Sequence, residues 1–350
     1  MKIKNRIIQW LLKCGQFMPR FEGERFLVVS TTGLGDTLWG TPAIRALRQA
    51  YPKAYIGILT SDLGAEVLGG NPHIDELFVV GKHVIFSLIQ LFKAVRNRKI
   101  GTVFIFHTSQ RTVLPFCHLI GASRIVGTEG INKGLDFILT EKLKNRPLHE
   151  IQRRLHLVGV QANGFKMELS VSEEERQNAN LLLQAIPVFL PIIGLHPGSK
   201  DKFKQWPAEY FIEVGNRLKN HLPCQIVVTG GMEEKELVEK VAQGIEAAIP
   251  MTGQLSVHAL GALIEKMSLM ITNDTGPMHI GVAMKTPVIG LFGPTDYRLC
   301  GPYFVSHATV IQKEKTCTPC LKKKCNEPFC LLQISKDEVF ETARRLLDGS

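Results

Sequence analysis

Thr272-Asn273-Asp274-Thr275-Gly276-Pro277-Met278-His279 follows the apolar run Ser268-Leu269-Met270-Ile271 and precedes a short helical pattern that ends near Met284. The bounded apolar run reads as a buried strand. A strand that turns through Gly-Pro into a helix leaves the first helical N–H groups unpaired. It aims them, together with the positive end of the helix dipole, at one point. Such a corner receives an anion, most often a phosphate.

Outward from this corner the same pattern recurs. Residues 192–196 form a strand expectation ending in Pro197-Gly198-Ser199, with a helix over 208–220. Residues 225–229 form another, ending in Gly230-Gly231, with a helix over 233–242. A helix over 255–266 precedes the opening stretch. A strand over 287–292 ends in Gly293-Pro294-Thr295, and a helix over 336–347 follows.

The first half repeats the theme. Phe26-Leu27-Val28-Val29-Ser30 is a buried parallel strand running into Thr31-Thr32-Gly33-Leu34-Gly35-Asp36-Thr37. A helix over 41–50 follows, with Pro42 in its first turn. Strands over 55–59, 77–80, 102–106 and 124–127 alternate with helices over 84–98 and 112–120. Helices over 149–160 and 172–185 complete this half. Such βαβ repetition predicts parallel sheets with helices on both faces. The proline-punctuated segment 187–191 sets the expected domain boundary, giving 1–186 and 187–350. Ligands of open parallel sheets bind at the carboxyl ends of the strands, so a cleft between two such domains is expected.

The bulk numbers agree. A chain of 350 residues exceeds one ordinary core. A net charge of +10 suits an anionic partner: a phosphorylated small molecule, an anionic membrane surface or nucleic acid. Aromatic residues make up 7%, without an aromatic-and-basic recognition motif, so nucleic acid ranks last. No apolar run reaches the length of a membrane span. Residues 1–20 mix Ile7, Ile8, Trp10, Leu11 and Leu12 with Lys2, Lys4, Arg6 and Lys13. They read either as a basic amphipathic helix lying on a membrane or as a surface helix or frayed tail. Cys14, Cys117, Cys224 and Cys300 are scattered in apolar company and read as buried thiols, which favours the cytoplasm.

Three motifs, in this order, resemble the heptosyltransferase family, glycosyltransferase family 9. The first is Gly33-Leu34-Gly35-Asp36-Thr37 with Thr41-Pro42-Ala43. The second is His196-Pro197-Gly198-Ser199 with Lys204-Gln205-Trp206-Pro207. The third is Asn273 to His279 with Gly290-Leu291-Phe292-Gly293-Pro294-Thr295-Asp296. The resemblance implies the GT-B fold, two facing Rossmann-like domains. It also implies transfer of heptose from ADP-heptose to the anionic inner core of lipopolysaccharide at the cytoplasmic face of the inner membrane.

The resemblance assigns Asp274, Thr275, Gly276 and His279 to the donor site, where helix N-terminal amides meet the diphosphate. Against this, Asp274 could be a plain N-cap and His279 a surface residue. By the same resemblance Lys204 reaches the diphosphate, Glu233 contacts the ribose and Leu255 lies near the adenine. Ser199 can donate to phosphate through its hydroxyl. Asp36, on the leading loop of the first domain with Gly33, Gly35 and Thr37, corresponds to the general base of an inverting transfer; capping a helix from Thr37 is its bland alternative. No Asp-x-Asp metal motif is evident in a suitable loop, so transfer is expected to need no metal. Lys93, Arg96, Arg98, Lys99 and Arg111 are candidates for meeting the acceptor, or simply a solvated basic face.

Cys317, Cys320, Cys325 and Cys330 are clustered beside Lys322, Lys323 and Lys324. Four thiolates could hold zinc or an iron–sulfur cluster, yet the spacing fits neither standard pattern, and reduced thiols in a loop are the alternative. Two other readings stay open: the same fold with another nucleotide sugar or acceptor, and a basic Cys-rich module docking nucleic acid.

Overall fold

The computed structural model describes residues 12, 19–107, 111–253, 255–314, 317, 320, 325 and 328–349. The amphipathic expectation for the N-terminus falls, apart from Leu12, Pro19 and Arg20, outside the described residues, as does Cys14.

The first unit holds one six-stranded sheet. Its strands are β1 (Arg25–Ser30), β2 (Tyr55–Ser61), β3 (Glu76–Val80), β4 (Thr102–His107), β5 (Arg124–Thr128) and β6 (Glu141–Leu143). They lie in the order β3-β2-β1-β4-β5-β6, with every pair parallel. The second unit repeats this with β7 (Ile192–His196), β8 (Gln225–Gly230), β9 (Ile249–Thr252), β10 (Leu269–Asn273), β11 (Val288–Phe292) and β12 (Ala308–Gln312). Their order is β12-β11-β10-β7-β8-β9, again all parallel.

The central strands are apolar along their length because helices cover both faces. Leu27, Val28 and Val29 in β1, and Leu269, Met270 and Ile271 in β10, are wholly buried. β6, β9 and β12 were not anticipated. All three are peripheral: β6, β9 and β12 each end a sheet, where one side lacks a partner and the apolar signal weakens. β9 even carries Pro250, which an edge tolerates because the ladder does not need its missing N–H.

In each sheet the chain reverses its direction of winding once, between β1 and β4 and between β7 and β10. Connections leave these neighbouring strands toward opposite faces, so a crevice opens at their carboxyl ends. Both leading motifs end there: the loop to Asp36 follows β1, and the loops to Ser199 and Asp274 follow β7 and β10.

The chain divides into compact units between Met167 and Glu168, so the expected 186/187 boundary falls inside the second unit. The reason is the helix Glu173–Leu182. It is started by a capping box between Ser172 and Glu175. It is then tied to the second unit by Arg176, 2.8 Å from Glu265, and by Glu175, 3.3 Å from His258. The prolines that follow mark a loop.

Cys117 is buried, and burial pushes its thiol up to about 12. Cys224 is buried and Cys300 half-buried. Among the described residues no helix is long and apolar enough to cross a membrane.

Candidate active site

Asn273 closes β10 and is fully buried. Its side-chain amide donates to the Pro197 carbonyl at 2.8 Å, and its carbonyl oxygen accepts the Trp206 N–H at 3.0 Å. One side chain therefore ties the loop after β7, the Lys204-Gln205-Trp206 segment and the end of β10 together. Trp206 is itself buried and donates its indole N–H to Ile334 at 3.0 Å, which fixes the segment to the C-terminal part of the unit.

The next residue, Asp274, is buried, and its carboxylate lies 2.6 Å from Lys204 Nζ. The helix Gly276–Met284 starts two residues later with Pro277 in its first turn. Thr275 occupies the N-cap position without a side-chain hydrogen bond. The capping alternative for Asp274 is thus overturned: its oxygen is committed to a lysine. His279 is buried, not a surface helix residue. Ser199 is buried, and its carbonyl accepts from Gln205 Nε2 at 2.8 Å.

A cavity of about 600 Å³ opens beside this framework, within the second unit. Glu233, Leu255 and Thr275 line it. Ser199, Lys204, Asp274, Gly276 and His279 are outside its wall; Pro277, next to Gly276, is part of it. Among the wall residues missed as site residues are Lys200, His196 and Glu234. His196 Nδ1 is 3.0 Å from the Thr229 hydroxyl, and Nε2 is 3.9 Å from the Glu234 carboxylate. Burial pulls the imidazole below its ordinary value, opposed by the charge of Glu234. Glu234 accepts the Gly231 N–H at 2.9 Å. It also fills the space beside Gly198, where a Cβ would come within 2.2 Å of the carboxylate. A side chain at position 198 would displace the Glu234 carboxylate. The signals were available as the His196-Pro197-Gly198 run and the paired acids after Gly231, but local sequence does not say which acid turns inward.

In the first unit Asp36 sits in the first turn of the short helix Leu34–Leu38. Gly33 holds the N-cap position, so capping does not account for Asp36. Gly33 is extended, at φ −74°, a conformation open to any residue. Thr37 is buried and donates its hydroxyl to the Gly33 carbonyl at 3.0 Å, and the Gly35 carbonyl accepts the Trp39 N–H at 3.0 Å. The Asp36 carboxylate lies 3.6 Å from Arg154 Nη2. Arg154 is wholly buried, 2.6 Å from Glu150, with its guanidinium 5.5 Å over the Trp39 ring. Nothing in the local sequence marks Arg154, because it meets Asp36 only after the helix Glu150–Val158 packs.

Two of the basic residues singled out for the acceptor have internal work. Arg98 pairs with Glu76 at 2.6 Å, and Arg96 donates to the Leu119 carbonyl at 3.1 Å. A different set, Lys142, Lys144, Arg146, Arg153 and His156, lines a cavity of about 370 Å³ at the end of β5 and β6.

Cys320 and Cys325 are near enough to Cys330 to add to the burial that raises its thiol, while Cys317 is exposed. None of the four is in a disulfide. Among the described residues no three His, Cys, Asp or Glu side chains gather to hold a metal ion.

Two parallel sheets of this order define a class. One presents a cavity beside a helix N-terminus at its switch point, and the other a carboxylate at its own. That class is the two-unit doubly wound α/β proteins, which bind ligands at the carboxyl ends of their strands. The chain belongs to glycosyltransferase family 9 (heptosyltransferase), whose family model matches residues 137–330. It is 30% identical over 329 residues to the lipooligosaccharide heptosyltransferase 2 of Campylobacter jejuni serotype O:6, covering 90% of this chain and 96% of that protein. Among solved structures it resembles a glycosyl transferase family 9 protein from Veillonella parvula, with TM-score 0.81, 26% identity and coverage of 95% and 99%. It also shares the fold of the E. coli ADP-heptose lipopolysaccharide heptosyltransferase II, with TM-score 0.78, 19% identity and coverage of 92% and 98%. The architecture is thus that of GT-B enzymes.

Proposed function

We propose that this glycosyltransferase moves heptose from ADP-heptose to an inner-core acceptor of lipopolysaccharide, with inversion at the anomeric carbon and without a metal ion. The observation that carries this reading is the cavity at the β7–β10 switch point, beside the N-terminus of the helix Gly276–Met284. Its volume, about 600 Å³, suits a nucleotide diphosphate sugar. Glu233 takes the ribose hydroxyls, and Leu255 offers an apolar surface to the adenine. The Thr275 and Gly276 amides and Lys204 take the diphosphate. Ser199 and Asp274 are donor-site residues in this reading, and His279 supports them from within the helix.

Asp36 accepts the proton of the acceptor hydroxyl. The freed oxygen attacks the anomeric carbon on the face opposite the diphosphate, the new C–O bond forms, and the old one breaks. ADP departs with the bonding electron pair. Charge builds on the diphosphate as it leaves, and fixed N–H dipoles and a lysine stabilise that charge more than the ground state. Arg154 orients Asp36. The cavity of Lys142, Lys144, Arg146, Arg153 and His156 receives an anionic group of the acceptor. No step runs through the Cys317 to Cys330 segment.

The enzyme works, in this reading, at the cytoplasmic face of the inner membrane, where such a glycolipid is presented. Calorimetry with ADP-heptose and with UDP- and GDP-sugars tests the donor. Binding of the ADP-sugar alone is expected, and equal affinity for a UDP-sugar sinks the assignment. Dialysis against a chelator is expected to leave turnover unchanged; its loss would overturn the metal-independent mechanism.

A further inference from the structure

The helix Val84–Asn97 in the first unit is apolar on both sides. Its inner side is explained: Leu88 and Val95 are buried in the core, and Val84, Leu91 and Phe92 pack against it. Its outer side is not. Ile85 is 63%, Phe86 62% and Ile89 68% exposed. Positions i, i+1 and i+4 share one face of a helix, so the three side chains form a single patch.

The surroundings of this patch are cationic. Lys82 and His83 are exposed just before the helix, and Lys93 is exposed one turn beyond Ile89. No Asp or Glu occurs between Glu76 and Glu129, whereas Lys82, Lys93, Arg96, Arg98, Lys99, Arg111 and Arg124 all do. Arg98 is neutralised by Glu76, and Asp62 lies near Gly81 at one end. Among the described residues Lys82 and Lys93 have no acidic partner. An apolar face bordered by lysines is the composition that seats a helix in a lipid interface: the apolar groups enter the acyl boundary while the lysines stay at the anionic headgroups. A second copy of the chain is a poor fit, because a two-fold contact would bring the same lysines together on a chain of net charge +10.

We propose that the Ile85–Phe86–Ile89 face, with Lys82 and Lys93, docks this protein on an anionic phospholipid bilayer. The purpose of such docking rests on the reading of the acceptor as a membrane glycolipid.

The test uses the full chain and two kinds of vesicle, phosphatidylcholine alone and phosphatidylcholine mixed with phosphatidylglycerol. Wild type is expected to sediment with the mixed vesicles and to remain in solution with the neutral ones. Ile85→Ser/Phe86→Ser/Ile89→Ser is expected to lose at least about tenfold in vesicle affinity. Lys82→Glu is expected to weaken the preference for phosphatidylglycerol. Both variants should turn over a deacylated, water-soluble acceptor at the wild-type rate, which also reports that they fold. Sedimentation of the triple-serine variant like wild type would place membrane binding elsewhere and overturn the proposal. So would a wild-type dimer that the same variant converts to monomer. If vesicle binding behaves as expected but ADP-heptose is not used on the soluble acceptor, the catalytic reading fails while the docking surface stands.

Discussion

Lys204 Nζ stands 2.6 Å from the carboxylate of Asp274, although the two residues are 70 positions apart in the chain. The lysine side chain is 20% exposed and the aspartate 7%. The pair joins the segment after β7 to the end of β10, so a cation read as a diphosphate ligand is already held in place before any ligand arrives. In the proposed donor site this charge needs no reordering when the diphosphate departs.

Lys204→Ala removes that charge and strands a buried carboxylate. A charged hydrogen bond is worth about 1.5–3 kcal/mol, so the donor Kd should rise roughly tenfold to a hundredfold. The melting temperature should fall as well, because Asp274 is left unpaired. Calorimetry and thermal unfolding read the two effects separately. Unchanged donor affinity would remove Lys204 from the donor site.

Asp36→Asn should cost about 10²–10⁴ in kcat, the usual range for a general base, and leave the donor Kd at its wild-type value. Arg154→Met should lower kcat less while also lowering stability, because Glu150 and Asp36 both lose their partner. Single-turnover kinetics on the two variants separate the roles. Wild-type transfer by the asparagine variant would sink the mechanism.

Asn273→Ala breaks the bonds to Pro197 and Trp206 and leaves their polar groups buried. At about 1–3 kcal/mol for each stranded group, a loss of about 2–6 kcal/mol in unfolding free energy is expected. Donor affinity should fall with it, since three loops lose their common tie. Urea titration checks the first effect, and full stability in the variant would show that the tie is not structural.

His196 makes stability depend on pH. Burial lowers its folded-state pKa below the ordinary 6.5. Above that value the ring is neutral in both the folded and unfolded chain, and no stability is lost. Below it the unfolded chain binds a proton that the folded chain refuses, so stability falls as pH drops, by up to about 1.4 kcal/mol per unit. Thr229 and Glu234 face the ring; the carboxylate limits the effect. Denaturant midpoints between neutral and mildly acidic pH should show this decline, and His196→Asn should flatten it. An identical slope in the variant would assign the dependence to other groups.

The sequence alone determined what depends on neighbours in the chain. Central strands such as β1 and β10 are continuous apolar runs because both their faces are covered. Gly-Pro after β10 and Pro42 mark helix starts because backbone geometry is local. The ordered motifs were legible for the same reason, and they placed Asp36, Glu233, Leu255 and Thr275 at strand ends.

The tertiary structure alone decided which of these loops meet, and through what. Asn273 reaches Pro197 across 76 positions. Arg154 meets Asp36 only once two helices pack, and the basic cavity draws Lys142 and Arg153 from a strand and a helix. The edge strands β6, β9 and β12, and the allegiance of the helix Glu173–Leu182 to the second unit, were hidden likewise. A strand covered on one side carries half the apolar signal, and a helix joins whichever core its buried face and ion pairs find. The stretch Thr272–His279 was visible as an anion corner from its backbone chemistry. That Asp274 holds a lysine there is a contact between distant segments, which no local pattern encodes.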